Sequence, residues 1–586
     1  MHIHGYSGII SCQVKRAMKN LKRNLHKYAT EIYFLALSLI IFVPLLRPGY
    51  VLTLDLIFTP RMHYQYTNSH GLYSETARDA VLNLLARIVD ASVIEKLLLM
   101  LLFFCIGYFM YRFLLQLRKR NRSYAIVAAT LYMWNPFTYS RLLAGHWAFL
   151  CGYALLPVFM WGLHHFYRQK KISNRLLIAC SVSWFVASLV SVHFLLLFAV
   201  PFAVYTVLHM FTYVRWDRTA ARAVALLAFI TLFSLSWIVP SLLISDVSRL
   251  GPLHLIFFAP TPDLQYGLTF NLLSMYGFWA ESTIGTMPKE LITVWPLLTL
   301  VLLIIVAAPL IRAGGDLLAI KKNKSYSRTQ RLLIGSLFIT GLLGLVLAHG
   351  STGFMQPVWD YLYNTVPVLQ PFREVQKFLL LYVFAATVLF YYGLDAVADL
   401  IREGVRSVRS RFTIDAERIT AFSGLILVIL ITPLLGFAAA GQLQTTQYPR
   451  SWYQLEEELT ERATEGRILV LPWRAYAEFP FSSRQIADPS RSFFSGYVIS
   501  ERVPAYLRST IECEIEFTEI HRNEVIRLCL GSDSDKQDWI SQVKLNSIDY
   551  VVFNKVQAFK VNDFFNDEEH FQLIYSDNYA DIYRVL

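Results

Sequence analysis

Long runs of apolar residues alternate with short polar stretches between residues 30 and 440. A helix needs roughly 20 mainly apolar residues to cross the hydrocarbon layer, where no water satisfies its backbone groups. Eleven segments meet this requirement, at residues 30–47, 94–116, 123–139, 147–167, 175–190, 192–213, 222–245, 291–311, 331–348, 376–398 and 419–440. The pattern therefore predicts an α-helical polytopic membrane protein with about 11 spanning helices.

The basic residues fall into every second connection between these segments. They form a tail at residues 1–29 and clusters at residues 118–122, 168–175, 215–222, 321–328 and 402–418. Because Lys and Arg concentrate on the cytoplasmic side of a membrane protein, the N-terminus is expected in the cytoplasm. An odd number of spans then places the C-terminal residues outside. No cleavable signal peptide is visible. Together with the eleven apolar segments, this predicts a multi-pass protein of the cell membrane.

The composition separates a membrane part from a tail. Of the 586 residues 55% are apolar and only 16% are charged, and the mean hydropathy is +0.41. A soluble protein of this size would carry about a quarter charged residues. The apolar excess lies within residues 30–441, whereas residues 442–586 read as an ordinary soluble domain. The net charge of +12 does not indicate nucleic-acid binding, because the connections between spans account for it.

The tail alternates helical and strand patterns. Residues 451–466 and 535–546 have helical patterns, RILVLPW and IDYVVF are typical of strands, and the last residues indicate a hairpin turning at Ser576, Asp577 and Asn578. The tail is therefore expected to be a small extracytoplasmic α/β domain. In that location Cys513 and Cys529 could form a disulfide, a pairing that their spacing leaves open.

The first outside loop, residues 48–93, is too long for a simple connector. Its second half has apolar residues at helical spacing, which predicts an amphipathic helix at the membrane interface. Asp55 lies in the apolar stretch LTLDLIF close behind the first span. Such a setting would partly desolvate the carboxylate and favour its use as a general base. The alternative is a loop aspartate that caps a turn.

Two further outside loops combine aromatic and polar residues. The segment WNPFTYSRLLAGHWAF contains Arg141 and His146, and basic residues are scarce on this side. The loop at residues 246–290 contains Trp279 and Glu281. Aromatic faces beside polar groups suit a sugar ring, but they suit an ordinary membrane interface as well.

The outside loop at residues 349–375 leads into the span at PVLQPFREVQKFLLLYVF. Arg373 and Lys377 are four residues apart and so share one face of the helix start. The free N–H groups and the dipole at a helix N-terminus favour an anion, and a phosphate at the outer membrane surface would fit. The alternative is that both side chains anchor the helix end by reaching into the headgroup region.

These features resemble the GT-C superfamily of membrane glycosyltransferases, particularly prokaryotic members that are arabinofuranosyltransferase-like or poorly characterised. The matching residues are Asp55 in the first loop, the segment NPFTYSRLLAGHW and the segment PFREVQKF. Many relatives carry an acidic pair such as Asp-x-Asp in the first loop, which this sequence lacks. A divalent metal, Mg²⁺ or Mn²⁺, is therefore possible but not supported by an acidic pair.

The resemblance implies inverting transfer of a sugar from a polyprenyl-phosphate donor to an extracytoplasmic glycan, lipid or protein. Asp55 would take the proton of the acceptor hydroxyl. Arg373 and Lys377 would bind the donor phosphate, with Arg141 as a further candidate. The candidates for the remaining substrate contacts are His63, His146, Trp279 and Glu281.

Two other classes of function compete with this interpretation. A transporter or flippase for lipid-linked glycans would place ionisable groups within its spans and show related halves, and the sequence has few such charges and no clear repeat. A non-catalytic membrane scaffold would bind a partner through its tail. The sequence shows none of the motifs that mark common soluble enzymes, such as a P-loop, a dinucleotide turn, HExxH or GxSxG.

Overall fold

The computed structural model describes residues 28–63, 74–117, 121–243, 253–317, 326–407, 415–462, 466–471, 476–499, 547–555 and 569–586, together with scattered residues between 537 and 545. Cys513 and Cys529 lie outside the described residues, as does most of the helix predicted at 535–546. Within the described parts the chain is mostly helical, with a small sheet near the C-terminus.

The helices of the first half are α1 (Ala29–Phe42), α2 (Ser74–Ala86), α3 (Ala91–Leu117), α4 (Arg122–Met133), α5 (Pro136–Leu143), α6 (Trp147–Arg168), α7 (Asn174–Val190), α8 (Phe194–Tyr213) and α9 (Trp216–Leu243). The second half contains α10 (Leu253–Phe257), α11 (Gly267–Leu273), α12 (Pro288–Leu291), α13 (Trp295–Leu317), α14 (Arg328–His349), α15 (Gln356–Thr365), α16 (Leu379–Ser407) and α17 (Ala416–Ile431). The C-terminal part adds α18 (Arg450–Arg462) and α19 (Ser490–Phe493).

Eight helices of the described residues are long and apolar enough to cross a membrane, or nine if the bent segment at the end of the bundle is one span. That segment joins Ala416–Ile431 to Pro433–Ala440 at an angle of 70°. The prediction of a polytopic helical membrane protein is confirmed, although the count is below eleven. Two of the predicted segments are helical but short: α7 has 17 residues, and the segment 123–139 is broken into α4 and α5.

The break between α4 and α5 is built by Asn135 and Pro136. The Asn135 side chain accepts a hydrogen bond from the Thr138 N–H at 3.0 Å, and Pro136 occupies the first helical position, where no N–H is needed. The Asn135 amide also donates to the carbonyls of Leu131 and Tyr132, both at 2.8 Å. These bonds satisfy the backbone of a break that lies wholly inside the protein.

The strands are β1 (Tyr50–Val51), β2 (Thr445–Thr446), β3 (Arg467–Leu471), β4 (Tyr476–Ala477), β5 (Ile486–Ala487), β6 (Tyr497–Ile499), β7 (Ile548–Asn554), β8 (Phe571–Ser576) and β9 (Ala580–Val585). A five-stranded sheet has the order β6-β3-β7-β9-β8, in which β3 is parallel to both β6 and β7. The strands predicted at RILVLPW and IDYVVF and the hairpin turning near Asp577 are all present.

The first loop and the C-terminal part are joined through their backbones. Strand β1 pairs with β2, directly after the last span. A few residues later Leu54 accepts a hydrogen bond from the Ala487 N–H at 2.8 Å and donates its own N–H to the Gln485 carbonyl at 3.0 Å. Inside the bundle, the buried Glu95 carboxylate accepts from the Val51 N–H at 2.9 Å. The first loop is therefore fixed at residues 50–51 and again at Leu54, directly before Asp55.

Candidate active site

Asp55 lies in a tight turn pressed against the connection between α5 and α6. Its N–H donates to the Ala144 carbonyl at 3.1 Å. At the next residue a Cβ on Gly145 would lie 2.2 Å from the Leu56 nitrogen and 2.4 Å from the Thr53 oxygen, and Gly145 has a φ of +69°. Only glycine combines that φ with so close an approach of two backbones. The sequence AGHW therefore brings His146 to Asp55.

The Asp55 carboxylate is held by one side chain from the bundle and one from the C-terminal part. Oδ2 lies 3.0 Å from His146 Nε2, and Oδ1 accepts a hydrogen bond from the Tyr476 hydroxyl at 2.8 Å. Burial, reinforced by the charge of Asp55, raises the pKa of Tyr476 well above its usual range, so this phenol stays a neutral donor. The expected desolvation of Asp55 is wrong: its side chain is 37% exposed, because the apolar neighbours in LTLDLIF pack away from it.

The partner of His146 on the far side of its ring is Arg141. Arg141 Nη1 lies 2.9 Å from His146 Nδ1. Burial lowers the pKa of Arg141 only to about 10, so the guanidinium remains charged at neutral pH and acts solely as a donor. Nδ1 must then accept, which leaves the ring proton on Nε2, facing Asp55. Arg141 thus sets the tautomer in which His146 donates to the carboxylate.

Glu374 continues this network between two buried cations. One carboxylate oxygen lies 3.2 Å from Arg141 Nη1 and the other 3.3 Å from Lys377 Nζ. Burial alone would raise the pKa of Glu374, but the basic side chains around it, Lys377 foremost and then His146, Arg141 and Arg373, overcome it and hold that pKa well below the usual range. The carboxylate is therefore ionised, and it neutralises cations that would otherwise be isolated in the protein interior.

His193 closes the inner end of the network. Its Nε2 lies 3.1 Å from Lys377 Nζ and 2.8 Å from the Pro371 carbonyl, and its Nδ1 lies 2.9 Å from the Ser191 hydroxyl. Burial, together with the charge of Lys377, lowers the pKa of His193 well below its usual value, so the ring is neutral. The polar chain thus runs from Tyr476 through Asp55, His146, Arg141, Glu374 and Lys377 to His193.

Arg373 differs from the other cations because its guanidinium has no ion pair among the described residues. Its guanidinium carbon stands 4.5 Å from the centroid of the Phe258 ring, which fixes the plane of the group without occupying its donors. Its charge acts on both Glu374 and Tyr476. Arg373 is half-buried, so it offers a positioned cation without an ion pair, near enough to act on the phenol that is bonded to Asp55.

The fold of the chain has a counterpart among solved structures. The chain is similar over 95% of its length to the arabinofuranosyltransferase AftD from Mycobacteria, with a TM-score of 0.54 at 16% identity. This chain has a GT-C fold. It spans 40% of the AftD chain. No family model matches the sequence, and no curated protein matches it.

Two further solved structures are similar to the chain at lower TM-scores. They are the oligosaccharyltransferase AglB from Archaeoglobus fulgidus in complex with a dolichol-phosphate (0.42, 12% identity, 90% of this chain and 70% of that chain) and ArnT from Cupriavidus metallidurans bound to undecaprenyl phosphate (0.39, 12% identity, 95% and 98%).

The GT-C fold brings together five of the residues singled out from the sequence: Asp55, Arg141, His146, Arg373 and Lys377. They come from three separate connections between helices. Four of them are joined in one continuous network, and the charge of Arg373 acts on two further members, Glu374 and Tyr476. Two of the cations, Arg141 and Lys377, are committed to Glu374. Arg373 is therefore the one of the three whose donors face no carboxylate among the described residues.

The other three candidates have partners elsewhere. Both carboxylate oxygens of Glu281 are engaged within its own loop, by the N–H of Phe278 at 3.0 Å and by Lys289 Nζ at 2.9 Å among others. His63 Nε2 lies 2.9 Å from Glu456 on α18. Trp279 packs edge-on against Phe258, behind the ring that contacts Arg373. Its neighbour Phe278 is the aromatic residue that reaches the network.

Phe278 covers two central members of the network, Arg141 and His146. Its ring centroid stands 4.6 Å from the guanidinium carbon of Arg141, and the ring meets that of His146 edge-on at 5.5 Å. The long loop at 246–290 therefore contributes the apolar wall of the site through Phe258 and Phe278. Among the described residues no three His, Cys, Asp or Glu side chains are grouped so as to hold a metal ion.

Tyr476, Glu374 and His193 belong to the network and were not among the residues chosen from the sequence. Glu374 lies between Arg373 and Lys377 in PFREVQKF. An acidic residue between two basic residues indicates an ion pair, so the sequence contains a signal for Glu374. Tyr476 is 421 residues away from Asp55, and its position depends on the pairing of β4 with β5 and of Leu54 with Gln485. No local pattern marks it.

Proposed function

We propose that this protein is a membrane glycosyltransferase that moves a sugar from a polyprenyl-phosphate donor to an acceptor on the outer side of the membrane. The observation that carries the proposal is the Asp55 carboxylate, 37% exposed and held by His146 and Tyr476, in the same site as Arg373, a cation without an ion pair among the described residues whose charge acts on Tyr476. The GT-C fold supports the class of reaction, because AftD is an arabinofuranosyltransferase. We propose further that the N-terminus is cytoplasmic and the C-terminal part extracytoplasmic.

Asp55 acts as the general base in this proposal. The acceptor oxygen attacks the anomeric carbon of the donor sugar while Asp55 takes the hydroxyl proton. The bond between that carbon and the phosphate oxygen breaks, and its electron pair leaves with the phosphate. Attack opposite the leaving group inverts the configuration at the anomeric carbon. The hydrogen bonds from His146 and Tyr476 hold the carboxylate in one orientation before the acceptor arrives.

Arg373 stabilises the charge that grows on the departing phosphate. The site as a whole contains three cations, Arg141, Arg373 and Lys377. It contains two carboxylates, Asp55 and Glu374, so one positive charge is in excess. A positioned guanidinium can bind phosphate with two parallel hydrogen bonds. Arg141 and Lys377, the other phosphate candidates, act by neutralising Glu374 and orienting His146.

The decisive experiment uses the full-length protein in nanodiscs with polyprenyl-phosphate donors carrying a pentose or a hexose. The variant Asp55→Asn is expected to lower transfer at least about 1,000-fold, because the amide cannot accept the proton. Asp360→Asn, in helix α15, is the matched control and should retain full activity, because among the described residues the Asp360 carboxylate forms no hydrogen bond or ion pair with the network. Undiminished transfer by Asp55→Asn would remove Asp55 from the mechanism.

The same assay tests Tyr476 as a positioning residue. Tyr476→Phe removes one hydrogen bond to the Asp55 carboxylate and is expected to lower kcat about 10- to 100-fold with little change in KM, from the usual strength of hydrogen bonds to charged groups. Tyr579→Phe, in the hairpin turn of the same C-terminal part, is the control. An unchanged kcat for Tyr476→Phe would show that the C-terminal part does not orient the base.

A further inference from the structure

A second polar site lies at the opposite end of helix α6 from His146. A cavity of about 210 Å³ opens where α6, α8 and α9 end or begin. The 22 residues of α6 span about 33 Å at 1.5 Å per residue, which is about the thickness of the hydrocarbon layer. The cavity therefore lies on the membrane face away from Asp55, and the proposed glycosyl transfer does not use it.

The floor of this cavity is buried and pre-organised. Arg222 is fixed by donating to the Tyr167 carbonyl at 2.8 Å and to the Gln169 carbonyl. The Thr219 hydroxyl lies 3.1 Å from His209 Nδ1. All four side chains, those of Tyr167, His209, Thr219 and Arg222, are buried. The floor thus presents a positioned cation and polar groups toward the open volume.

The rim carries four more cations: Arg168, Lys170, Arg215 and Arg218. No carboxylate of the described residues forms an ion pair with any of them, and no acidic side chain is among the residues that line the cavity. The charges of Arg215 and Arg218 both act on Arg222, so the like charges stand close together. Close, uncompensated cations around a pre-formed cavity are an arrangement that an anion stabilises.

We infer that this cavity binds a phosphate group, either free phosphate or the headgroup of an anionic lipid. Arg guanidinium groups match phosphate oxygens with paired hydrogen bonds, and the rim offers three arginines and a lysine for this purpose. The volume is sufficient for several water molecules and hence for a phosphate group. The cavity lies at the level where lipid headgroups meet the ends of spanning helices, so either source of phosphate can reach it.

The test measures binding to the purified full-length protein with two probes. Radiolabelled inorganic phosphate is followed by equilibrium dialysis, and phosphatidic acid in mixed micelles is followed by native mass spectrometry against phosphatidylcholine. The double variant Arg215→Gln/Arg218→Gln removes two exposed rim charges without touching the buried floor. From the strength of charge-assisted hydrogen bonds we expect the Kd of the bound probe to rise at least about tenfold.

Lys171→Gln/Arg175→Gln is the matched control, because it removes the same charge from exposed residues near the start of α7 that do not line the cavity. This variant should bind as the wild type does. Binding of phosphate alone, of phosphatidic acid alone or of both supports the site and identifies its source of phosphate. The inference is overturned if neither probe binds the wild type, or if the control variant weakens binding as much as the rim variant.

Discussion

At the scale of single residues, the network depends on the balance of charge around Glu374. This carboxylate is 5% exposed and separates Arg141 from Lys377. A buried ion pair contributes little when complete, but loss of one partner strands the other charge in the interior. Glu374 is therefore a structural member of the site, because it supplies the counter-charge for Arg141 and Lys377.

Replacement of Glu374 by Gln is expected to destabilise the protein by about 3–5 kcal/mol, because Arg141 and Lys377 would stay buried without a counter-charge. Thermal unfolding in detergent measures the loss. The control is Glu403→Gln, an exposed glutamate in α16, which should change the midpoint little. A Glu374→Gln variant as stable as that control would contradict the proposed role of the carboxylate.

The same residue gives a pH dependence with a definite sign. The pKa of Glu374 in the folded protein is lower than its usual value of 4.5, so its ionised form stabilises the folded state. This contribution is complete above about pH 4.5 and is lost as the pH falls further. Unfolding midpoints of the wild type should therefore fall below that pH, and those of Glu374→Gln should fall less steeply.

At the scale of elements, the close approach of two backbone segments sets the position of Asp55. The turn at residues 53–56 rests directly on Gly145 between α5 and α6. Leu54 itself has a φ of +36°, which is uncommon for a residue with a side chain and is maintained by its pairing with Gln485 and Ala487. The position of Asp55 is thus set by three segments that are distant in sequence.

Gly145→Ala is expected to lower stability by about 1–3 kcal/mol and to reduce transfer strongly, because the new Cβ would displace the turn that carries Asp55. Activity of the folded fraction, separated by size-exclusion chromatography, is the measurement. Gly314→Ala in α13 is the control, since a Cβ there meets no atom within 4 Å. Equal activity in both variants would show that the close approach at Gly145 is dispensable.

The apolar pattern of the sequence predicts that the chain has membrane-spanning helices, but it overestimates their number. The segment at 123–139 has the apolar content of a span, yet the Asn135-Pro136 pair ends one helix and starts another. Asn followed by Pro is a recognised helix start, so the break could have been read from the sequence. The network was predicted in part because Asp55, Arg373 and Lys377 flank spans, whereas Tyr476 is placed only by tertiary pairing.

At the scale of the whole molecule, the two polar sites lie at opposite ends of α6. The basic connections predict which end faces the cytoplasm, since Lys and Arg are retained there. The cavity rim with Arg168 and Arg218 would then be cytoplasmic, and Asp55 with the C-terminal sheet would lie outside. This orientation is consistent with a lipid-linked donor, because nucleotide sugars are confined to the cytoplasm.

Single cysteines test the orientation in a background from which the native cysteines are removed. Asn578→Cys, in the exposed hairpin turn, should react with a membrane-impermeant maleimide in intact cells. Lys171→Cys, in the connection between α6 and α7, should react only after permeabilisation. The two variants serve as controls for each other. Labelling of Lys171→Cys in intact cells, with Asn578→Cys labelled only after permeabilisation, would contradict the proposed topology.

The hydrogen bond between Tyr476 and Asp55 has a consequence for biosynthesis. The two residues are 421 positions apart, and a ribosome adds roughly 5–20 residues each second, so about 20 to 80 s pass between their synthesis. During that interval the nascent protein exposes an aspartate that lacks its phenol partner. In the proposed topology, Asp55 therefore gains this hydrogen bond only after Tyr476 has been exported and docked, and we expect a product truncated before Tyr476 to transfer sugar poorly.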